Sequence, residues 1–192
     1  MEELISLIAQ FNDILKKQIV TYTEFIPILD EEENAICKYD LSYLEKIVIL
    51  KDQKSRIAIS LEEKRLLLIK KICYMIAFDS RGLTLSLNLF AQAFSTYTKN
   101  IQSLISSETF CKLKELQDQF FSIKAEYENT FEFIYPRIYR NQVILKKLLR
   151  NVTLSLSLFQ SEAEVGMNYD SLGKAQSLLN QNNNYSSVRV KA

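Results

Sequence analysis

The sequence contains two clusters of carboxylates that could bind a metal ion or act as acids and bases. They are Glu31, Glu32 and Glu33, and Glu62 with Glu63. On helices, such residues could hold a di-metal centre of the ferritin type, but that centre requires Glu-x-x-His pairs. The 192 residues contain no histidine. Its absence also removes the commonest general base and every Ser–His or Cys–His nucleophile pair. We therefore interpret both clusters as solvated helix edges.

Other signatures of a catalytic or cofactor site are also missing from the sequence. The three glycines are scattered, so neither a GxGxxG nor a Walker phosphate-binding loop occurs. Cys37, Cys73 and Cys111 are widely spaced and form no CxxC pair. This spacing favours small, mostly buried thiols of a cytosolic protein over a disulfide or a metal site. We expect a protein that is not an enzyme and that carries no cofactor.

The charged residues are nearly balanced, with 24 Lys and Arg against 23 Asp and Glu. A net charge of +1 creates no broad field that would attract nucleic acid or an anionic membrane. The basic group Lys146, Lys147 and Arg150 is interpreted as a solvated helix face. No stretch reaches the roughly 20 apolar residues of a membrane span, and the acidic N-terminus lacks the basic region of a signal peptide. These features predict a cytoplasmic protein.

The chain has only 3 Gly and 2 Pro, so few residues interrupt its helices. Long helices must therefore position the charged and apolar residues described here. Apolar residues at helical spacing predict a first helix over residues 2–38 and a second over residues 41–78. Between them, Tyr39 and Asp40 form a tight break, and Asp40 can cap the second helix. The sequence therefore predicts an all-α protein that begins with a long antiparallel hairpin.

The two edges of this hairpin carry opposite charges. The acidic residues before the break are Glu31, Glu32 and Glu33, and the basic residues after it are Lys46, Lys51 and Lys54. An antiparallel arrangement would bring the two groups near each other. Pro27 and Pro136 lie inside helical stretches, and each predicts a bend.

Two further helical segments are predicted to pack along the hairpin, over residues 84–106 and from residue 107 to about 159. A two-helix hairpin is thin, so a third segment must cover apolar residues of the second helix such as Leu66, Leu67 and Ile69. From residue 160 onward the periodicity stops. We predict a helical bundle or coiled-coil domain over residues 1–160 and a disordered C-terminal tail over residues 161–192.

The end of the last helix is more apolar than one buried face requires. Its apolar residues are Leu145, Leu148, Leu149, Val152, Leu154, Leu156, Leu158 and Phe159. A buried helix face is a stripe roughly 100° wide, and this set is wider. We expect part of it to be exposed or covered by a partner helix in a groove-type contact. The alternative is a four-helix bundle that buries the whole set.

The order of the C-terminal elements resembles the FlgN family of flagellar export chaperones. In that family a long helix ends, a Tyr-x-x-x-Gly element follows, and a polar tail closes the chain. Here the helix end is followed by Asn168, Tyr169 and Asp170, then by Gly173 and a polar tail. The chain is longer and more aromatic over residues 80–110 than the family pattern.

The N-terminal half also resembles the family. Its opening hairpin has a Glu-rich helix end, an Asp-Leu start, a Lys in the next turns and a Leu-Glu-x-x-Arg element. The matching residues here are Glu31 and Glu32, Asp40 and Leu41, Lys51 or Lys54, and Leu61 and Glu62 with Arg65. The resemblance extends over residues 20–174.

The resemblance implies a cytosolic, non-enzymatic chaperone. Such a protein binds hook-associated proteins of the hook–filament junction and presents them to the export gate protein FlhA. The client-binding residues implied on the last helix are Leu145, Leu148, Leu149, Val152, Leu156 and Phe159. Tyr169 would contact the gate, with Asp170 and Gly173 forming the turn beside it. The polar tail would order on binding.

Two other classes of protein remain compatible with the residues. One is a coiled-coil adaptor or scaffold that protects no client, which would exist as a stable complex rather than as a free species. The other is a binding protein that antagonises a regulatory factor.

Overall fold

The computed structural model describes residues 1–78, 86–164, 168–169 and 175–176, with side chains up to residue 158. The described elements are the helices α1 (Glu2–Cys37), α2 (Leu41–Met75), α3 (Leu87–Ile101) and α4 (Ser107–Glu164), and the two-residue strands β1 (Asn168–Tyr169) and β2 (Ala175–Gln176). Helices hold nearly all of the described residues, so the predicted all-α class and the opening hairpin are confirmed.

The chain divides by its internal contacts into two compact units, Met1–Gln142 and Val143–Ala192. The boundary falls inside α4, whereas the sequence predicts a boundary after residue 160. The helix itself continues to Glu164, beyond the predicted end of its periodicity. The prediction of disorder from residue 161 is therefore wrong for residues 161–164, which are helical, and the rest of the predicted tail lies outside the described residues apart from the two short strands.

The turn between α1 and α2 closes without a glycine. Tyr39 takes the left-handed conformation, with φ of 56°. The Asp40 N–H donates to the Ala35 carbonyl at 3.0 Å and the Tyr39 N–H donates to Ile36 at 3.2 Å, the bond pattern of a Schellman motif. The Asp40 carboxylate then accepts from the Tyr43 N–H at 2.9 Å, as the predicted N-cap of α2.

The predicted opposition of acidic and basic hairpin edges is confirmed where Lys51 pairs with Glu32, whereas Lys54 pairs with Glu24, outside the predicted acidic group. The interpretation of the first carboxylate cluster as a solvated edge is wrong for Glu32, which is only 3% exposed. Its carboxylate is neutralised by Lys51 and also accepts a hydrogen bond from Asn141 Nδ2 at 2.9 Å.

Two of the three cysteines also differ from the prediction. Cys73 is buried, and burial raises the pKa of its thiol. Cys37 and Cys111 are exposed, so the expectation of mostly buried thiols is wrong for both. Both lie on the outer side of helix ends whose inner side is buried, since Ile36 beside Cys37 and Leu113 near Cys111 face the interior.

The largest apolar cluster lies in the first unit, where α1, α2, α3 and the first part of α4 meet. Four phenylalanines from three helices form its centre, with ring centroids 5.0 to 6.3 Å apart: Phe11, Phe90, Phe94 and Phe120. Ile69 is buried in this cluster as predicted. Leu67 is 60% exposed, so the expectation that a third segment covers it is wrong. Leu67 is two residues from the buried Ile69, about 200° around α2, and therefore faces away from this cluster.

Within the first unit, α4 lies parallel to α1. Asn12 Nδ2 donates to the Leu116 carbonyl at 3.1 Å, Arg137 pairs with Asp30 at 2.9 Å, and Asn141 Nδ2 donates to the Leu29 carbonyl at 2.8 Å. The contacts near the start of α1 are with the start of α4, and those near the end of α1 are with later residues of α4, so the two helices run in the same direction. These polar contacts fix the register of the first part of α4 on the hairpin.

The break predicted at Ser106 is confirmed, and the described starts of both α3 and α4 are capped by a serine. Ser86 accepts from the Leu89 N–H and begins α3, and Ser106 accepts from the Thr109 N–H before α4. The break predicted at residues 79–82 lies outside the described residues. Pro27 and Pro136 lie inside α1 and α4, and both helices continue through them.

Candidate functional site

The second unit presents an apolar surface on the last part of α4. Leu149 is 62% exposed, Val152 49% and Leu156 56%, while Leu145 and Leu148 are half-buried. Phe159 belongs to the same helix, and its side chain lies outside the described part. Burying a large aliphatic side chain is worth about 1.5–3 kcal/mol. A partner that covered these residues would therefore gain substantial binding energy.

The six residues predicted to bind a client share one helix face. Successive residues of an α-helix are about 100° apart around its axis. At that spacing all six fall within an arc of about 100°, the width of one amphipathic stripe. We call this set the α4 stripe: Leu145, Leu148, Leu149, Val152, Leu156 and Phe159. Leu154, which is also exposed, lies on the opposite face.

The hydroxyl groups next to the α4 stripe are satisfied by the helix itself. Thr153 Oγ1 donates to the Leu149 carbonyl at 2.9 Å, and Ser155 Oγ donates to the Asn151 carbonyl at 3.0 Å. Because these hydroxyl groups already donate hydrogen bonds to backbone carbonyls of α4, they lose fewer hydrogen bonds to water when they are covered. A partner can therefore cover the flanks of the stripe at a small desolvation cost.

The basic residues in this part of α4 stay in solvent. Lys146, Lys147 and Arg150 are exposed, as predicted. None of the three forms an ion pair within the described ranges. At about 100° per residue, Lys147 and Arg150 lie on the same side of α4 as Leu154, opposite the α4 stripe, so a partner that covers the stripe leaves them in solvent.

The three residues predicted to contact an export gate lie beyond α4. Tyr169 is in β1, where its backbone is paired antiparallel with Ala175 of β2. Asp170 and Gly173 lie between the two strands, outside the described residues. The backbone of Tyr169 is thus held in a short antiparallel strand pair.

In the second carboxylate cluster, the oxygens of Glu62 are occupied by an ion pair and hydrogen bonds, so they are not free to bind a ligand. Arg65 donates to both carboxylate oxygens of Glu62, at 2.7 and 2.5 Å, and Gln18 donates to one of them at 3.0 Å. The hydrogen bonds from Arg65 hold the pKa of Glu62 below its ordinary value, against the opposing effect of partial burial. Beside this pair, burial raises the pKa values of Tyr22 and Tyr127.

Neither carboxylate cluster therefore offers a metal site. Across the described ranges, no three His, Cys, Asp or Glu side chains converge in a way that could hold a metal ion. None of the helices in those ranges is long and apolar enough to cross a membrane.

Sequence reasoning missed the polar residues that separate the apolar clusters of the first unit. Gln18 and Asn141 are almost fully buried, although their residue types usually lie at the surface. Each occupies an inward position of its helix, so helical phase was the signal that could have found them.

Comparison of the chain with family models, curated proteins and solved structures finds no match. The resemblance to the FlgN family therefore depends on the sequence motifs alone. Several of those motif residues have structural roles here: Asp40 caps α2, Lys51 neutralises Glu32, and Arg65 pairs with Glu62.

Proposed function

We propose that this protein is a cytoplasmic, non-enzymatic export chaperone of the flagellar type. Its client would be a hook-associated protein of the hook–filament junction, which it would deliver to the export gate protein FlhA. The α4 stripe supports the proposal, because Leu149, Val152 and Leu156 expose apolar side chains along one face of this helix. Exposed apolar surface of this kind marks interaction sites in proteins.

The α4 stripe suits a helical client segment. From Leu145 to Phe159 it extends over about 20 Å, or four turns, at the rise of an α-helix. Residues spaced by three and four along such a face pack against the same spacing on a partner helix. The client would contribute an amphipathic helix whose apolar face covers the stripe.

The contact with the export gate is proposed for Tyr169. A tyrosine provides a large rigid apolar face and one hydroxyl at low entropy cost, which is typical of anchor residues. We expect Tyr169→Ala to leave helicity, melting temperature and client binding unchanged, and to weaken binding to FlhA in a titration. A melting temperature several degrees lower, or undiminished gate binding, would argue instead that Tyr169 packs on the helical body.

The client class can be tested by affinity capture of the tagged full chain from cells, followed by mass spectrometry. Recovery of a hook-associated protein is expected. The Leu148→Asp, Val152→Asp double variant should lose it, since two charges would enter the apolar contact. Leu154→Asp is the matched control, because it adds a charge on the opposite face of the same helix.

A coiled-coil adaptor or scaffold is the second candidate. The spacing of the α4 stripe also suits pairing with another helix in a permanent coiled coil. Sedimentation of the purified chain separates the two proposals. A monomer that forms a defined complex only when client is added favours the chaperone, whereas a stable oligomer without client favours the adaptor. The third class, a protein that antagonises a regulatory factor, would instead recover that factor in the capture experiment.

A further inference from the structure

A second apolar groove lies in the first unit, between α1 and α2. Its volume is about 350 Å³, and its floor is formed by Ile14, Leu67 and Leu68. Leu67 is 60% exposed. The groove lies on the first unit and shares no residue with the α4 stripe.

Three lysines line the edges of this groove: Lys17 on α1, and Lys64 and Lys71 on α2. None of them has an ion-pair or side-chain hydrogen-bond partner in the part of the chain that the structure describes. Most other basic groups on the helices of the first unit, such as Lys51 and Lys124, are paired with acids.

The charge of the groove differs from that of the whole chain. Asp13 is the one acid among its lining residues, so three lysines and one aspartate give a local charge of +2. The entire 192-residue chain carries only +1. The positive charge is thus concentrated where apolar side chains are also exposed, and the partner that suits both features is acidic and amphipathic.

The spacing of the lining residues indicates the shape of that partner. On α1 they are at positions 10, 13, 14 and 17, and on α2 at positions 64, 67, 68 and 71. Both walls therefore present the i, i+3, i+4, i+7 face that packs against a helix. The lined length is about 10 Å, or two helical turns.

From these observations we infer that the groove between α1 and α2 docks an acidic amphipathic helix of a partner protein. Leucine-like side chains of the partner cover Leu67 and Leu68, and its Asp or Glu side chains pair with Lys17, Lys64 and Lys71. The inference is independent of the proposed client surface, because it concerns a different pair of helices.

A synthetic peptide tests the inference with the full chain. The probe is a fluorescent 18-residue helix-forming peptide with leucines on one face and glutamates on both flanks. Its comparison peptide has lysines in place of the glutamates. Fluorescence anisotropy should detect binding of the glutamate peptide and not of the lysine peptide. Binding should weaken as NaCl rises from about 0.05 to 0.5 M, because salt screens exposed charges.

Charge reversal locates the contact. The triple variant Lys17→Glu, Lys64→Glu, Lys71→Glu should weaken binding of the glutamate peptide by about tenfold or more. The matched control is Lys38→Glu, Lys46→Glu, Lys99→Glu, which makes the same change in net charge at exposed lysines outside the groove. It should stay within about twofold of the original chain.

Several outcomes would overturn the inference. They are no binding of the glutamate peptide, equal binding of the lysine peptide, or equal losses in the two triple variants. Loss of binding in the Leu148→Asp, Val152→Asp variant would place the peptide on the α4 stripe instead. Binding to anionic vesicles, abolished by the groove variant and seen without peptide binding, would assign the groove to a membrane surface.

Discussion

Glu32 shows how single residues determine the packing of the hairpin. Lys51 Nζ lies 2.8 Å from each of its carboxylate oxygens, and Asn141 Nδ2 lies 2.9 Å from one of them. A buried carboxylate is strongly unfavourable unless it is paired and hydrogen-bonded. Both partners are therefore needed for this acid to face inward, and together they link α1 to α2 and α4.

Removing the lysine partner should destabilise the fold more than removing a surface lysine. Lys51→Met leaves the buried Glu32 charge unpaired, and we expect a loss of about 2 kcal/mol in the free energy of unfolding. The control is Lys112→Met, which breaks an exposed pair with Glu108 and should leave the free energy of unfolding almost unchanged. Urea unfolding measures both, and equal losses would contradict the structural role given to Glu32.

Glu62 predicts a pH dependence of stability. Since Arg65 lowers the pKa of Glu62 in the folded chain, the unfolded chain binds the proton first as pH falls. The stability that this pair contributes is complete above the ordinary Glu pKa of about 4.3 and is lost as pH falls below it. Glu62→Gln should flatten the stability curve in this range. The exposed Glu63→Gln serves as control, and identical curves for all three proteins would refute the prediction.

Several residue roles could be predicted from the sequence, and others could not. Asp40 follows a lapse in periodicity and precedes a regular apolar pattern, so its capping role was readable. Three consecutive glutamates do not reveal which one faces inward. Glu32 does so because of Asn141, which is 109 residues away. A partner at that distance becomes visible only when α1 and α4 are placed side by side.

At the scale of elements, two helices end in left-handed residues that are not glycine. Tyr39 ends α1 with φ of 56°, and Ala77 ends α2 with φ of 53°. At the second site the Phe78 N–H donates to the Cys73 carbonyl at 2.9 Å and the Ala77 N–H to Tyr74 at 3.2 Å. Both ends are Schellman motifs, in which glycine is the usual residue at the left-handed position.

Glycine at the end of α2 should therefore stabilise the protein. A left-handed conformation costs a residue with a Cβ atom roughly 1 kcal/mol, and glycine avoids this cost. We expect Ala77→Gly to raise the free energy of unfolding by about 0.5 kcal/mol after the larger entropy of the unfolded chain is subtracted. Ala93→Gly, inside α3, should lower it by up to about 1 kcal/mol. Thermal unfolding measures both variants, and equal destabilisation by Ala77→Gly and Ala93→Gly would contradict the prediction.

The helices themselves were largely predictable, because the sequence has long apolar repeats and few helix breakers. The start of α1, the start of α2 and the turn between them follow the predicted positions. The end of α2 was predicted three residues late, since no glycine marks its Schellman motif. Leu67 was assigned to the interior because periodicity reveals an apolar face but not which neighbouring helix covers it.

The α4 stripe should tolerate charge without loss of folding. Leu148→Asp and Val152→Asp lie in the second unit, outside the apolar clusters of the first. We expect the double variant to keep its far-ultraviolet circular dichroism and its melting temperature to within a few degrees. A cooperative loss of structure would show that the stripe is part of a core, as in the bundle alternative.

At the scale of the whole molecule, the buried apolar clusters and the exposed apolar surface of α4 lie in different units. The first unit contains the described apolar clusters and the buried ion pairs, while the second presents the exposed part of α4. A fragment of residues 1–142 should accordingly remain helical, unfold cooperatively in urea and lose all binding of the client. A fragment that is unfolded by itself would contradict this division.

The most direct test of the proposed function is a calorimetric titration of the purified full chain with a purified hook-associated protein. We expect a saturable complex that the Leu148→Asp, Val152→Asp variant abolishes and the Leu154→Asp variant retains. The absence of any complex with the unaltered chain, or equal binding by both variants, would contradict the claim that the α4 stripe holds the client.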